Sequence, residues 1–305
     1  MPRRPLISLA LPVHGTSFAH ALAVARAAES AGFDGVWVPD HLLNLTRPQA
    51  GVLECWTVLA AVAAVTERVG VGSLVIATPF RHPPLLAKQL ATLDSIAPGR
   101  LTLGLGAGGF TYDEACKQLG FKRLSPAERV ADVEETIACV RRLLADDPAE
   151  FHGRFARADG ARVFPRPSRA VPIVVAAERP RMLRLTARLG DGWNCPRPQA
   201  LEAGRAALQR YGRDPASIQV SAYVVAFIAE SDDAARRALA RAGESAQLFG
   251  DVRRHHICGG PQTVVERIRD FARRGADHLV LDLRGRPRTE AIEILARDVL
   301  PHFGS

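Results

Sequence analysis

The sequence lacks any long uninterrupted stretch of apolar residues. A helix that crosses a lipid bilayer needs roughly 18 or more of them in a row, and no segment of the 305 residues reaches that length. The first residues, Met1 to Pro5, contain two arginines and two prolines and lack the apolar core of a secretion signal. The sequence therefore predicts a cytoplasmic protein that does not bind membranes.

Cysteine is scarce, and its spacing excludes a disulfide framework. The five cysteines are an odd number, and the nearest two, Cys116 and Cys139, lie 23 positions apart. Disulfide-rich domains and zinc ribbons carry closely spaced sets instead. No HExxH motif or carboxylate cluster accompanies the one adjacent histidine pair, His255 and His256. We therefore expect reduced thiols and no metal site.

Lysine and aromatic residues are also scarce. The three lysines are Lys88, Lys117 and Lys122, so 37 of the 40 basic residues are arginine, and aromatic residues make up 6% of the chain. The net charge of +8 permits an anionic ligand. Few aromatic residues accompany the arginines between positions 154 and 188, and no nucleic-acid-binding signature is present. We therefore expect no nucleic-acid partner, and a solvated arginine-rich surface is the plainer interpretation.

The chain does have a regular alternation of short apolar runs and longer helical patterns. This alternation is typical of β–α units around a parallel sheet. The predicted strands are Leu6–Leu11, Gly35–Pro39, Val69–Ala77, Leu101–Leu105, Pro172–Ala176, Gly192–Cys195, Ile218–Ile228 and His278–Leu283. An open doubly wound sheet shares this pattern, but eight units without a composition break favour a closed barrel. We predict one (β/α)8 TIM barrel domain over residues 1–305, with loop insertions at its C-terminal face.

Helices are expected between these strands. They are Phe18–Ser30, Trp56–Glu67, Pro84–Ile96, Pro126–Ala145, Arg181–Leu189, Gln199–Arg210, Asp232–Ala246, Thr263–Arg274 and Thr289–Val299. Ser125, with Glu128 three residues later, predicts a capping box at the start of the fourth helix. The Pro- and Arg-rich stretch from Asp146 to Pro172 is expected to be an extended connection. Because catalytic groups in such barrels follow the C-terminal ends of strands, the residues after each apolar run are the candidates.

A glycine-rich segment follows the fourth predicted strand. Gly104 to Gly109 satisfies the GxGxxG pattern of dinucleotide-binding loops. It follows the fourth strand rather than the first, however, and residues 110–124 separate it from the next predicted helix. We therefore interpret these glycines as positions where backbone N–H groups approach a flat ring or a phosphate without side-chain collision. A simple tight turn is the alternative.

A carboxylate and an imidazole lie together just after the second strand. Asp40 and His41 follow residues 36–39, which places both at the mouth of the predicted barrel. A histidine with a pKa of about 6.5 donates or accepts a proton at neutral pH, and an adjacent carboxylate orients it or favours its charged form. His41 and Asp40 are therefore the candidate catalytic residues, with a histidine that satisfies loop backbone as the alternative.

Several segments resemble the bacterial luciferase-like superfamily of flavin- and deazaflavin-dependent oxidoreductases. They are residues 31–41 (AGFDGVWVPDH), 72–75 (GSLV) with 81–83 (RHP), 97–108 (APGRLTLGLGAG), 189–194 (LGDGWN), and 258–264 (CGGPQTV) with 275–280 (GADHLV). Each segment is loose alone, but their order and spacing are specific. The resemblance spans nearly the whole chain.

The resemblance implies a barrel that holds an isoalloxazine-type ring at its C-terminal mouth. It also implies a non-proline cis peptide between Leu74 and Val75, in a bulge of the third strand that supports the ring. The residues that it assigns to the cofactor are Asp40, Ser73, Leu74 and Val75, and two phosphate-binding loops made of Gly106, Ala107, Gly108 and Gly109 and of Ala176, Ala177, Glu178 and Arg179. Backbone amides and a helix N-terminus favour an anion at the second loop.

Two cofactors are consistent with the resemblance. Coenzyme F420, a deazaflavin, is favoured over FMN because the length of the chain and its Asp40–His41 pair resemble the deazaflavin-dependent members. The basic charge also suits the polyglutamate tail of F420. The implied activity is hydride transfer between C5 of the deazaflavin and a small organic substrate, with His41 as proton donor or acceptor and Asp40 orienting it. The alternative is an FMN-dependent monooxygenase.

One position departs from part of the family. Some sugar-phosphate-oxidising members carry a catalytic glutamate just after the fourth-strand glycines, where this chain has Gly109. This difference argues against that activity, and the sequence indicates neither the substrate nor the direction of transfer. Superfamily members are commonly dimers, and the apolar faces of Cys55–Glu67 and Pro84–Ile96 are candidates for a homodimer interface. Packing of these faces against the core is the alternative.

Overall fold

The computed structural model describes residues 4–45, 47–243, 250–285 and 288–304. The strands in these ranges are β1 (Leu6–Ala10), β2 (Gly35–Val38), β3 (Gly70–Ser73), β4 (Ile76–Ala77), β5 (Leu101–Gly106), β6 (Ala149–His152), β7 (Arg157–Ala161), β8 (Ile173–Ala176), β9 (Gly192–Cys195), β10 (Gln219–Ile228), β11 (Ile257–Gly259) and β12 (His278–Arg284). The α-helices are α1 (Phe18–Ser30), α2 (Cys55–Val65), α3 (Pro83–Ile96), α4 (Tyr112–Leu119), α5 (Pro126–Ala145), α6 (Pro180–Leu189), α7 (Leu201–Arg210), α8 (Asp232–Ala242), α9 (Val252–His255), α10 (Pro261–Arg273) and α11 (Arg288–Asp298). Short 3-10 turns lie at Thr78–Phe80, Pro198–Ala200, Pro215–Ser217 and Leu300–Phe303.

Parallel strands close into a barrel. The order around it is β1, β2, β3, β5, β8, β9, β10 and β12, and β12 pairs with β1 to complete the circle. The short strand β4 also pairs with β5, so β3 and β4 are two parts of one broken strand. Helices surround these eight strand positions, and the predicted (β/α)8 TIM barrel is therefore confirmed.

Side chains alternate between the helices and the inside of the barrel along each strand. In β2, Val36 and Val38 belong to the main apolar core against the helices, whereas Trp37 points inward. The inward side chains that meet at one level are Ala10, Trp37, Leu74, Val174, Tyr223 and Val280. This layer fills the interior of the barrel at that level, and the loops that follow the C-terminal ends of the strands form the mouth.

The third predicted strand is interrupted by a bulge. β3 pairs Gly72 with Thr102 of β5, whereas β4 pairs Ile76 with Leu105, so the broken strand holds one more residue than its partner between these points. The cis peptide bond between Leu74 and Val75 lies in this bulge. The position expected from the family resemblance is therefore confirmed.

Several elements differ from the sequence prediction. The expected extended connection contains the antiparallel hairpin β6–β7, the expected loop at residues 110–124 contains α4, and β11 pairs beside the end of β10. The predicted helix Asp232–Ala246 ends at Ala242, and Glu244 to Ala246 lie outside the described residues. The capping box of Ser125 and Glu128 is confirmed. None of the helices in the described ranges combines the length and apolar character needed to cross a lipid bilayer.

Candidate active site at the barrel mouth

The predicted cofactor segments are adjacent at the mouth. The bulge after β3, the glycines after β5 and the loop after β8 follow neighbouring strands. Gly106 lies between the other two: a β-carbon added to it would lie 2.8 Å from Cγ2 of Val75 and 3.7 Å from Cβ of Ala176. The three segments therefore form one continuous wall on one half of the mouth.

Ser73 stabilises the bulge. Its buried hydroxyl donates to the carbonyl of Gly104 at 2.8 Å and accepts from the N–H of Gly104 at 2.9 Å. A β-carbon at Gly104 would lie 2.0 Å from the carbonyl oxygen of Ser73, so only glycine fits there. Because these two hydrogen bonds use the hydroxyl of Ser73, a contact between Ser73 and a cofactor would involve the backbone of Ser73. Leu74 and Val75 are half-buried beside it.

The loop Gly106–Gly109 is held from behind by α5. Arg129 donates to the carbonyls of Ala107 and Gly108 at 3.2 and 3.3 Å, and its guanidinium lies 4.6 Å from the ring centre of Tyr112. Gly108 has a φ of +84°, a conformation that favours glycine. Gly109 is exposed, with open space where a β-carbon would lie.

The two predicted phosphate loops differ in the helix that follows each of them. Helix α4 carries two acidic residues in its first turn, whose charge opposes an anion at that helix end. Helix α6 begins after Arg179 with no acidic residue in its first turn and no side-chain cap, which leaves backbone N–H groups for an anion. The charge of Glu178 is paired with Arg197 at 2.9 Å. The loop Ala176–Arg179 is therefore the better anion site of the two.

A cavity of about 380 Å³ lies on the outer side of the barrel next to this loop. It is lined by residues of α5 and α6 and by Tyr211, including Arg181, Arg184 and Arg188. Arg188 forms an ion pair with Glu134, and the guanidinium of Arg184 lies 5.2 Å from the ring centre of Tyr211. Arg181, in the first turn of α6, is exposed. The cavity therefore places the positive charge of Arg181 next to the N-terminal end of α6.

Asp40 is buried, and its carboxylate forms hydrogen bonds with groups other than His41. Its Oδ2 accepts from the N–H of Ala77 at 3.0 Å, and its Oδ1 accepts from Arg81 at 2.7 Å. Arg81 also bonds to Glu54, which caps helix α2. Burial raises the pKa of Asp40 to about 6, although Arg81 and the Ala77 N–H act in the opposite direction. The two oxygens of Asp40 thus bond to Ala77 and Arg81 rather than to His41, and these contacts do not support the interpretation that Asp40 orients the imidazole.

The partner of His41 is His14, which follows β1. Nδ1 of His41 lies 2.6 Å from Nε2 of His14, and Phe110 packs edge-on against His41 with 5.5 Å between ring centres. Burial, with His14 as the next cause, lowers the pKa of His41 to about 4. In the described part of the chain, no protein group bonds to Nε2 of His41. At neutral pH the ring is therefore neutral, with one nitrogen free to act on a ligand.

A second polar cluster, which the sequence did not predict, lies on the same half of the mouth as His41. The hydroxyl of Tyr223 donates to Asp282 at 2.6 Å, and Nε of Arg284 donates to the same carboxylate oxygen at 2.9 Å. Burial raises the pKa of Tyr223 well above its ordinary value, so the phenol stays protonated. Tyr223 lies inside a long apolar run, which gives no signal of a polar site. In β12 every second side chain faces inward, and this alternation could have identified Asp282 and Arg284 as inward-facing polar residues.

The mouth therefore has two chemically different halves. The bulge, the glycines and the α6 N-terminus line one half, and titratable side chains from β10, β12 and the loops after β1 and β2 line the other. The first half offers backbone amides and apolar surface to a flat, anionic molecule. The second half offers proton donors and acceptors.

This arrangement agrees with the comparison of the sequence with known families. Residues 7–278 match the family model of the luciferase-like monooxygenases. The chain belongs to this family. An F420-dependent glucose-6-phosphate dehydrogenase from Intrasporangium calvum is 27% identical over 305 aligned residues, which cover 90% of this chain and 91% of that protein.

Two further relatives match over a shorter part of their length. An F420-dependent glucose-6-phosphate dehydrogenase from Beutenbergia cavernae is 39% identical over 175 residues, which are 57% of this chain and 51% of that protein. An F420-dependent hydroxymycolic acid dehydrogenase from Mycobacterium tuberculosis is 33% identical over 224 residues, 71% of this chain and 61% of that protein. These two alignments thus span about half to three fifths of the relatives.

Solved structures share the fold. The structure of an F420-dependent secondary alcohol dehydrogenase, in complex with an F420–acetone adduct, superimposes with a TM-score of 0.84 at 21% sequence identity. The superposition covers 99% of this chain and 100% of that chain. The two chains therefore share the barrel fold over their whole superimposed length.

Proposed function

We propose that the chain is an F420-dependent oxidoreductase that transfers a hydride between C5 of the deazaflavin and a small organic substrate. The observation that carries this proposal is the match to an F420-dependent dehydrogenase along 90% of the chain. The mouth supports the same proposal, since it pairs a wall suited to a flat anionic cofactor with a neutral imidazole.

The residues present at the mouth fit such a cofactor. Leu74 and Val75 offer apolar surface beside Gly106, where the missing side chain lets backbone approach the ring plane. The loop Ala176–Arg179 and the start of α6 would hold the phosphate, and Arg181 would face the anionic tail. When bound, F420 supplies a hydride donor or acceptor, which no side chain of the protein can provide.

The protein residues position the reactants and move the proton. Nε2 of His41 accepts the proton of a substrate hydroxyl during oxidation, or donates its own N–H proton to the carbonyl oxygen during reduction. The low pKa of His41 keeps the ring neutral, so it can act in either direction. We assign Asp40 a positioning role, because its bonds to Ala77 and Arg81 fix the end of the broken strand next to β2.

The substrate that we propose is not a sugar phosphate. A catalytic glutamate after the fourth-strand glycines is replaced by Gly109. The acidic residues of α4 do not substitute for it, because Asp113 pairs with Arg123 at 2.9 Å and Glu114 accepts from Gln118 at 2.6 Å. With F420 bound, we expect no oxidation of glucose 6-phosphate, and turnover instead with a panel of alcohols, enones and imines.

Titration of the purified protein with each cofactor tests the proposal. We expect saturable quenching or enhancement of F420 fluorescence, and no such change with FMN. Arg181→Glu should weaken F420 binding by about 10-fold, equivalent to about 1.4 kcal/mol, because it reverses the charge beside the proposed tail. Arg210→Glu makes the same charge change at an exposed position of α7 and should leave the affinity unchanged. Binding of FMN alone would favour the FMN-dependent monooxygenase.

Two features of the whole protein belong to the same proposal. We propose a homodimer that pairs the outer faces of α2 and α3, where an apolar groove is lined by Trp56, Ala60, Leu93 and Ile96 among others. We also propose a cytoplasmic location, because the five cysteines are unpaired thiols, as expected in a reducing compartment.

A further inference from the structure

Two imidazoles at the mouth share a single hydrogen bond. Nε2 of His14 and Nδ1 of His41 are 2.6 Å apart, and the ring centres are 4.8 Å apart. A hydrogen bond between neutral imidazoles contains one proton, so one ring donates and the other accepts. The tautomer of each ring is therefore fixed by the tautomer of the other. If His14 donates, Nε2 of His41 carries a proton, and if His14 accepts, Nε2 is bare.

The backbone around His14 holds its ring in this position. His14 forms an antiparallel bridge with Val52, and the N–H of Gly15 donates to the carbonyl of Gly51 at 2.7 Å. The loop after β1 is thus tied to the loop before α2. The short contact between the two rings is a consequence of this backbone pairing and does not depend on a freely rotating surface side chain.

The two rings differ in their access to water. His14 is exposed, whereas His41 is half-buried. Within the described residues, no protein group bonds to Nδ1 of His14 or to Nε2 of His41. Nδ1 of His14 is therefore the unbonded nitrogen of the more exposed ring, and Nε2 of His41 is the unbonded nitrogen of the less exposed ring.

The charges around the pair disfavour an imidazolium. Burial is the largest cause that lowers the pKa of both rings; Arg284 lowers both further, and Asp282 opposes this effect. At neutral pH both rings are therefore neutral, and a proton that enters at one end of the pair displaces one at the other end.

We propose that His14 is a positioning residue that relays protons between solvent and His41. The proposal rests on the proposed hydride transfer. During reduction of a carbonyl, the N–H at Nε2 of His41 gives its proton to the substrate oxygen, and Nδ1 of His41 takes the proton from Nε2 of His14. Nδ1 of His14 then takes a proton from a solvent acid. Both rings end neutral in the opposite tautomer, and they return to the first one through water when the product leaves.

During oxidation the same protons move in reverse. The substrate hydroxyl gives its proton to the bare Nε2 of His41, and a proton leaves Nδ1 of His14 to solvent. The electron pair of the reaction moves with the hydride, to or from the proposed F420. The pair thus lets one half-buried histidine act as an acid in one direction and as a base in the other.

The first test reads the tautomers without any cofactor. In nitrogen-15 NMR spectra near neutral pH, both ring nitrogens of His41 should resonate between the protonated and bare values, because two tautomers exchange. His14→Glu can only accept, so it should place the proton on Nδ1 of His41 and shift Nε2 to the bare value. His302→Ala removes an exposed histidine elsewhere and should change nothing at His41. A single tautomer of His41, identical in the wild type and in His14→Glu, would overturn the proposal.

The second test separates the relay from the proposed function. With F420 bound, His14→Ala should lower kcat in both directions by about 10-fold or more, leave KM and F420 affinity unchanged, and recover with added imidazole. Unchanged kcat in a His14→Ala protein that still binds F420 overturns the relay alone, whereas failure of the wild type to bind F420 overturns the proposed function.

Discussion

Asp40 and His41 are neighbours in the sequence but have different partners in the fold. Both oxygens of Asp40 bond to groups of the broken third strand and its connection, whereas His41 bonds to His14 from the loop after β1. Sequence reasoning identified His41 as a candidate proton donor or acceptor, but a partner 27 positions away could not be read from adjacency.

Removal of the imidazole tests the proposed role of His41. We expect His41→Ala to lower turnover by about 10²-fold or more, because general acid–base catalysis contributes that much. The affinity for F420 should stay within about 2-fold, since the proposed cofactor contacts lie on the other half of the mouth. Rates measured with reduced deazaflavin give the first quantity and fluorescence titration gives the second. Equal turnover in the variant and the wild type would exclude His41 from the proton transfer.

A third histidine, His278, makes the stability of the folded barrel depend on pH. It is buried, bonds to Ser8 at 2.7 Å, and burial lowers its pKa to about 4. The pKa of His278 in the folded protein lies below its ordinary value. The stabilisation that the neutral ring gives the folded protein is therefore complete above about pH 6.5 and is lost as the pH falls towards 4. As the pH falls through that range, we expect protonation of His278 to lower the free energy of unfolding by up to about 3 kcal/mol.

Denaturant unfolding at pH 7 and pH 4.5 measures this contribution. His278→Gln should show a smaller loss of unfolding free energy at the lower pH than the wild type, because glutamine does not titrate. The comparison between the two proteins cancels the effect of His41, whose pKa is lowered in the same direction. An equal pH dependence in the two proteins would show that His278 is not the responsible group.

At the scale of elements, the broken third strand is the feature on which the mouth depends. The bulge requires a glycine at position 104, since a β-carbon would lie 2.0 Å from the carbonyl oxygen of Ser73. We expect Gly104→Ala to lower the free energy of unfolding by about 2 kcal/mol or more. Gly109→Ala is the matched control, because its β-carbon would meet open space and should cost less than about 0.5 kcal/mol. Similar losses in both variants would argue against the bulge as the cause.

The sequence pattern predicts the regular elements better than the irregular ones. Short apolar runs predict the eight barrel strands, since the strands of a parallel barrel are buried on both faces. The hairpin β6–β7 was missed because its strands are only four and five residues long and more than half of their residues are exposed. Helix α4 was missed because it is short and follows a glycine-rich loop. The bulge itself came from the family resemblance, since one extra residue in a strand leaves no mark on apolar periodicity.

At the scale of the whole molecule, barrel closure brings together the two halves of the site. Asp282 lies beside the His14–His41 pair only because β12 pairs with β1. Apolar periodicity could have identified Asp282 as an inward-facing polar residue, but it does not show which strands are neighbours. The sequence therefore could not place Asp282 or Tyr223 beside the His14–His41 pair. The glycine segment after β5 and the loop after β8 follow neighbouring strands, and their proposed role in phosphate binding came from the resemblance.

The surface of the barrel carries an apolar face that the proposed homodimer would cover. Val65, Leu85 and Ile96 on α2 and α3 are 40%, 55% and 43% exposed. We expect sedimentation analysis to give twice the mass of 32.9 kDa for the wild type and the monomer mass for Ile96→Glu, which places a charge in the interface. A wild-type protein that sediments as a monomer at micromolar concentration would contradict the proposed interface.

A crystal structure of the protein with F420 tests the central claim most directly. We predict that the deazaflavin ring lies at the C-terminal mouth against Leu74 and Val75, with its phosphate at Ala176–Arg179 and one ring face open towards His41. A ring bound outside the barrel, or one whose reactive face is covered by protein and closed to a substrate beside His41, would contradict the account.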